Sequence, residues 1–339
     1  MIKKERSFPV KLYTLQALLR RLPKHHPKYQ SLQDECLRRK AGLKGEQSID
    51  YELSQLHTKE DYIFHDLRLP NREQFFQLDT LLVTKSFIVI IEVKNIAGTV
   101  YFDKKFNQLI RSYNGVEEAF SDPLLQIKRQ RLHLMELIRL HKFNIPVESL
   151  IVFSNPHTLI KASPEYAPHE LSNIIHRAEL PFRMNLIKDK YQKEIITPKD
   201  MKKLSSVLLK YHTHEAISAE SFGVRKEDVI RGVHCPPCNY IPMERKRKKW
   251  YCTACNDHSK TAHIDSLSDY SLLISNTISN KELRDFLQIP SRCTSLYLLQ
   301  SMSLESTGAT KDKRYLLNLE RSSCDCITHR NYAPNKLFW

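Results

Sequence analysis

The stretch LDTLLVTKSFIVIIEVKN, residues 78–95, decides the fold. Two apolar runs flank Thr84, Lys85 and Ser86, and each carries a carboxylate where a core strand ordinarily carries none. Side chains alternate across a strand with a period of two, so the second run sets Glu92 and Lys94 on one face with Ile88 and Ile90. Val89, Ile91 and Val93 point the other way. The same rule puts Asp79 in line with Phe75, Leu81 and Val83. A carboxylate and an ammonium ending so apolar a strand are costly to desolvate unless paired or bound to a metal. The pattern marks a candidate active site.

Working outward, residues 31–56 place Leu32, Cys36, Leu43, Ile49, Leu53 and Leu56 at helical spacing, one long helix with a break expected at Gly42 or Gly45. Glu46 falls on the buried stripe with Ile49 and Leu53, an unusual place for an ionised side chain; alone it reads as a boundary salt-bridge residue, and with Asp79 and Glu92 nearby in the fold it becomes a candidate third carboxylate. Strands are expected over 62–69, 74–83 and 87–95, with turns at Pro70-Asn71 and at 84–86. A hairpin pairs 99–102 with 108–113 after Gly98. Asp122 and Pro123 open an amphipathic helix running to about Lys142, as N-cap and first helical residue. A buried strand over 147–153, a further strand over 171–175 and a helix over 200–211 complete an α/β domain, residues 31–215, with a mixed sheet flanked by helices.

Asp79 followed by Glu92-Val93-Lys94 resembles the core of the metal-dependent PD-(D/E)xK nucleases, which have a restriction-endonuclease-like fold. More narrowly, KGEQSIDYEL, QLDTLLV, FIVIIEVKNIAGTV and DPLLQIKRQRLHL, in that order, resemble the nuclease-related domain (NERD) family over roughly residues 38–155. Leu78 stands where the broader superfamily often has proline, at a position that binds no metal. The resemblance implies Asp79, Glu92 and the Val93 carbonyl as ligands of Mg²⁺ or Mn²⁺, with Glu46 holding a second metal or a metal-bound water. It also implies that Lys94 holds or helps deprotonate the attacking water, and that Gln126 orients the water or a ligand. The bland reading of Glu92 and Lys94 alone is a same-face ion pair.

Lys plus Arg exceed Asp plus Glu by 53 to 38, a net charge of +15 with a pI near 9.4, which favours a polyanionic partner over a small neutral one. The longest uninterrupted apolar run, 87–91, is far too short to span a bilayer, so no membrane partner is expected. Residues 1–30 read as a basic N-terminal arm with an amphipathic helix over 12–21, not a signal peptide, and a solvated role is expected for it. Eight cysteines are too few for a disulfide scaffold, so a reducing cytoplasm fits.

After a linker over 216–231, Cys235-Pro-Pro-Cys238 and Cys252-Thr-Ala-Cys255 present two thiolate pairs, the pattern of a structural four-cysteine Zn²⁺ ribbon over 232–260. Between them, Arg245, Lys246, Arg247, Lys248 and Lys249 adjoin Trp250 and Tyr251, cations for phosphate and aromatics for stacking. Residues 261–321 read as helix (269–275), helix capped by Asn280, turn, helix capped by Ser291, then two short strands around a basic tip. Leu283, Phe286, Leu287, Ile289, Leu296 and Leu299 would supply a small core. The order is similar to a winged helix-turn-helix; a trihelical protein-interaction module is the rival reading. If it binds DNA, Arg292, Thr294, Ser295 and Tyr297 begin the groove-facing helix, and Lys311, Lys313 and Arg314 touch phosphate from the wing. Cys324, Cys326 and His329, in the tail over 322–339, make an incomplete metal set.

These features together lead to the expectation of a metal-dependent nuclease, acting on DNA through its zinc ribbon and winged helix. The alternative is a DNA-binding regulator whose nuclease-like core is a scaffold. The oligomeric state is left open, a homodimer included.

Overall fold

The computed structural model describes residues 1–56, 60–72 and 74–318. The chain divides into two compact units, Met1–Phe8 with Leu37–Glu215, and Pro9–Cys36 with the residues from Ala216 onward.

Strand β1 (Ile2–Lys4) and helices α1 (Val10–Arg21), α2 (Tyr29–Ser48) and α3 (Asp50–Leu56) come first. The expected single helix is thus two, and the break falls at Ile49, with Gly42 and Gly45 both inside α2. Strands β2 (Tyr62–Asn71), β3 (Gln74–Val83) and β4 (Ile88–Lys94) form an antiparallel meander. Pro70 and Asn71, expected to turn, instead extend β2 and pair with Phe75 and Gln74. Strand β1 pairs with β2 only at Ile63 and Phe64, so Pro70 sits on an edge where its missing N–H is tolerated.

Next come β5 (Thr99–Asp103), β6 (Gln108–Tyr113), β7 (Val116–Ser121), α4 (Pro123–Leu140) and β8 (Val147–Phe153). The nitrogen of Leu124 donates to the Asp122 carboxylate at 2.7 Å, which fixes the start of α4. Beyond β8 lie β9 (Leu159–Ala162), α5 (Pro168–Leu171), β10 (Ile174–His176), α6 (Leu180–Lys190) and α7 (Pro198–Tyr211).

One mixed sheet runs β1-β2-β3-β4-β8-β10, with β4, β8 and β10 mutually parallel. Its Ile88 and Ile90 face packs Leu124, Ile127 and Leu134 of α4 and Leu204 and Leu208 of α7. The Val89 and Ile91 face packs Leu53 of α3 and Met184 and Ile187 of α6. Each such aliphatic side chain contributes about 2 kcal/mol on full burial, so the layers are held chiefly by β4 and its neighbours. A second sheet, β7-β6-β5-β9, is built on the expected hairpin.

The period of two holds along β4 and breaks along β3. Leu78 and Leu81, three residues apart, enter the same core. Across the ladder His65 pairs with Thr80 and Leu67 with Leu78, while Asp66 between them has a φ of 53°. A left-handed residue, which aspartate tolerates, shifts the pleat. The simple alternation that put Asp79 in line with Leu81 and Val83 is therefore interrupted at Asp79 itself.

In the other unit, β11 (Glu244–Lys246), β12 (Lys249–Tyr251) and β13 (His258–Ser259) form a small antiparallel sheet. Helix α8 (Ala262–Leu273), β14 (Thr277–Ser279), α9 (Asn280–Leu287), α10 (Arg292–Ser301), β15 (Ser306–Thr307) and β16 (Arg314–Leu316) follow, the strands in the order β14-β16-β15. Helix α8 starts seven residues before the expected 269. Ser279, not Asn280, caps α9: its hydroxyl accepts from the Glu282 nitrogen while Glu282 accepts from the Ser279 nitrogen, a reciprocal cap. Ser291 caps α10 as expected. Leu296, expected in the core, is exposed.

The N-terminal 30 residues are not a solvated arm. Strand β1 joins the large sheet, and α1 buries Leu12, Leu15 and Leu18. The buried Arg21 donates to Asp269 at 2.8 Å and to the carbonyls of Ile230 and Gly232 at 3.0 Å. Among the described residues no helix is long and apolar enough to cross a membrane. Cys324, Cys326 and His329 lie outside the described residues.

Candidate functional site

The end of β4 gathers the polar side chains of the candidate site. Lys94 Nζ lies 2.6 Å from Glu92 Oε1 and 3.1 Å from Gln126 Oε1, and Gln126 Nε2 donates to Glu92 Oε1 at 2.7 Å. These three side chains close a triangle between β4 and the first turn of α4. The other carboxylate oxygen of Glu92 accepts from Gln130 Nε2 at 2.9 Å, which also reaches the carbonyl of Gln77. On β3, Asp79 Oδ2 accepts from the backbone nitrogen of Val93 at 3.0 Å, tying the two acidic strands at the residue between Glu92 and Lys94. The sequence alone does not single out Gln130. It sits four residues after Gln126, hence on the same helical face, and that spacing was the available signal.

Burial raises the Asp79 carboxyl well above its ordinary range, and the Glu92 and Glu46 carboxylates push it further. Burial likewise lifts Glu46 to about 7, aided by Asp66 and Glu92 and opposed by Arg6. For Lys94 burial works downward, but Glu92 and Asp79 outweigh it and hold the ammonium protonated. Mutual repulsion among buried carboxylates is what a divalent cation relieves, and an all-oxygen donor set suits Mg²⁺ or Mn²⁺. The Oε1 atom of Gln130, buried beside Glu92, has no hydrogen-bond partner. In donor chemistry these residues suit such an ion, although their ligand atoms do not converge as closely as those of a closed metal cluster.

Glu46 is engaged by Arg6, a residue without any sequence signature of its own. Arg6, just past β1, is 7% exposed at its side chain and lies 2.8 Å from Glu46, 3.1 Å from Asp50 and 3.6 Å from Asp66. It also reaches His65 Nδ1 and Thr80 Oγ1. The close approach of α2 to the end of β4 depends on Gly45, where a Cβ would overlap that of Asn95 and stand 2.9 Å from Ser154 Oγ.

The four cysteines of the other unit form one cluster. Their sulfurs lie within 4.8 Å of one another, with Cys235 to Cys255 at 3.6 Å and Cys238 to Cys252 at 3.5 Å. Four thiolates at 2.3 Å from a tetrahedral ion stand about 3.8 Å apart, so the cluster fits a zinc ribbon. Each knuckle ends on an asparagine with positive φ, Asn239 and Asn256, whose nitrogens donate back to the Cys235 and Cys252 carbonyls. Among the described residues no other group of three or more histidines, cysteines or acids gathers its ligand atoms this closely, so Glu46, Asp79 and Glu92 are looser.

The expected nucleic-acid contacts divide. Arg247 and Lys248 form the exposed tip of the β11–β12 hairpin, both with positive φ. Lys246 is paired to Glu244 at 2.6 Å, and Lys249 is half-buried in β12. Trp250 is buried, with Nε1 3.2 Å from His263 Nδ1, so it is no open stacking platform. Arg292 is exposed and Thr294 half-buried at the start of α10, whereas Ser295 is fully buried and faces no groove. Arg314 is bound to Glu282 at 2.9 Å and to Thr277, so it braces β16 instead of reaching outward. Lys313 is exposed, and the Lys311 side chain lies outside the described residues.

Residues 41–154 match the family model of the nuclease-related domain, NERD. The match spans about a third of the chain and contains Glu46, Asp79, Glu92, Lys94, Gln126 and Gln130, but not Arg6. No curated protein and no solved structure matches the chain.

Proposed function

We propose that the chain is a metal-dependent phosphodiesterase acting on nucleic acid, DNA first, with Asp79, Glu92 and Lys94 at its centre. The carrying observation is the closed triangle of Lys94, Glu92 and Gln126 beside Asp79, inside the matched span. A mixed sheet whose β3–β4 hairpin bears these residues supports the PD-(D/E)xK reading. The order α8-β14-α9-α10-β15-β16, with β16 central in its sheet, supports the winged-helix reading of the other unit.

Asp79, Glu92 and the Val93 carbonyl would hold Mg²⁺ or Mn²⁺, with Glu46 behind them. Such an ion polarises the scissile phosphate and acidifies a water. Lys94, kept charged by Glu92 and Asp79, is an ammonium that holds a hydroxide or a phosphate oxygen; it is poorly suited to take a proton. Gln126 fixes the separation of Lys94 from Glu92 by accepting from one and donating to the other. Gln130 anchors the opposite oxygen of Glu92.

The test is incubation with supercoiled, linear and single-stranded DNA, with and without Mg²⁺ or Mn²⁺. Metal-dependent nicking is expected, and Asp79→Ala and Lys94→Ala should each lower it by about 100-fold or more while nucleic-acid binding persists. Undiminished cleavage by either variant sinks the assignment. The rival, a binding regulator on a nuclease-like scaffold, is favoured by one observation: both Glu92 oxygens are engaged by neighbouring side chains. Binding by the wild type without metal-dependent cleavage would select it.

A further inference from the structure

A cleft of about 770 Å³ opens between the β11–β12 hairpin and the turn joining α9 to α10, within one unit. That volume is in the range of small-ligand pockets and suits one or two nucleotides. On one wall stand Arg245, Arg247, Lys248 and Trp250; on the other, Ile289, Ser291 and Tyr297.

Three observations define what the cleft would take. Its charge is cationic: Arg245, Arg247 and Lys248 face it, and the acid on its rim, Glu244, is already paired to Lys246. It is also aromatic, for Tyr297 is 54% exposed on the first turns of α10, and the Arg245 guanidinium lies 4.9 Å from the centre of the Trp250 ring. Finally, Arg245, which lines the cleft, keeps its Nη1 buried without a hydrogen-bond partner. Burial also lowers the Arg245 pKa, as expected for a cation that lacks a counter-ion. The planar faces of Tyr297 and Arg245 with two flanking cations match a nucleobase with its phosphate. Tyr297 stands on the helix that would otherwise enter a duplex groove, yet here it lines a pocket.

We propose that this cleft seats an unpaired nucleotide, the base against Tyr297 and Arg245 and the phosphate on Arg247 and Lys248. The hairpin and α10 together then read single-stranded nucleic acid. The inference rests on the reading above that the partner is nucleic acid, and it does not require that any bond be cleaved.

The experiment uses the full chain carrying Trp339→Phe, which leaves Trp250 as its one tryptophan, in buffer free of Mg²⁺ and Mn²⁺. Titration with a ten-residue oligothymidylate should change Trp250 fluorescence saturably and bind about tenfold more tightly than a duplex of equal length. Tyr297→Ala, at an exposed position, and Arg245→Gln should each weaken single-strand binding by about 10- to 100-fold at unchanged zinc content. Single-strand affinity unaltered by both variants, equal binding of the duplex, or equal competition by a poly-glutamate peptide would each overturn the proposal. Loss of the cleft with Asp79-dependent cleavage intact removes this inference alone. Absence of cleavage with the cleft intact removes the catalytic reading alone.

Discussion

At Arg6 one guanidinium stands against three carboxylates, Glu46 and Asp66 at Nη1 and Asp50 at Nη2. Removing one partner of a buried ion pair costs about 3–5 kcal/mol, but Asp50 is 42% exposed and Glu46 23%, so water recovers part of it. Arg6→Ala is expected to lower stability by about 2–3 kcal/mol in urea denaturation; a loss below about 1 kcal/mol would mean that solvent screens the cluster. Arg6→Lys should restore only part, because the donors of an ammonium radiate from one nitrogen and do not span Glu46 and Asp50 as Nη1 and Nη2 of the guanidinium do. Glu46, already lifted to about 7, loses in Arg6→Ala the cation that opposes the lift. How far this site was legible follows from its residues. Glu92 and Lys94 showed themselves by alternation, and Glu46 by its place on a helical stripe. Arg6 could not, since a contact spanning forty residues leaves no periodic trace in one sequence.

The elements tell the same story in terms of what they bury. Strands β3, β4 and β8 carry long apolar patterns and were legible nearly to the residue. Strand β7 was not: all six of its residues are exposed, so no hydrophobic period marks it. Glycine propensity puts the break between α2 and α3 at Gly42 or Gly45, but tertiary packing keeps both inside α2 and moves the break to Ile49. Two opposite effects separate the glycines of α2. Nothing lies within 4 Å of a Cβ at Gly42, so Gly42→Ala should stabilise by about 0.5–1 kcal/mol through helix propensity alone. At Gly45 the added methyl meets Asn95 and Ser154 at the end of β4, and the expected overpacking of about 1–3 kcal/mol outweighs the same propensity gain. Thermal melts of the two variants should therefore shift in opposite directions. If both rise, α2 can recede from β4 at little cost, and the support of Glu46 by that helix is softer than its geometry implies.

Over the whole molecule the excess of 53 basic over 38 acidic residues makes attraction to a polyanion general, and only local placement separates attraction from a binding site. Of the basic residues between the cysteine pairs, Lys246 is spent on Glu244, whereas Arg247 and Lys248 sit free at the hairpin tip beside the cleft. Each phosphate neutralised on a single strand contributes about 0.7 to the slope of log affinity against log salt. Replacing Arg247 and Lys248 by Gln should then flatten that slope by about 1.4 for oligothymidylate. Lys246→Gln, by contrast, should leave the slope nearly unchanged, although all three substitutions lower the net charge by the same unit. Equal effects from the three positions would mean that binding follows total charge and that the hairpin tip places no phosphate. A drop confined to Arg247 and Lys248 would mean that position in the fold, and not the surplus of +15, decides where the strand lies.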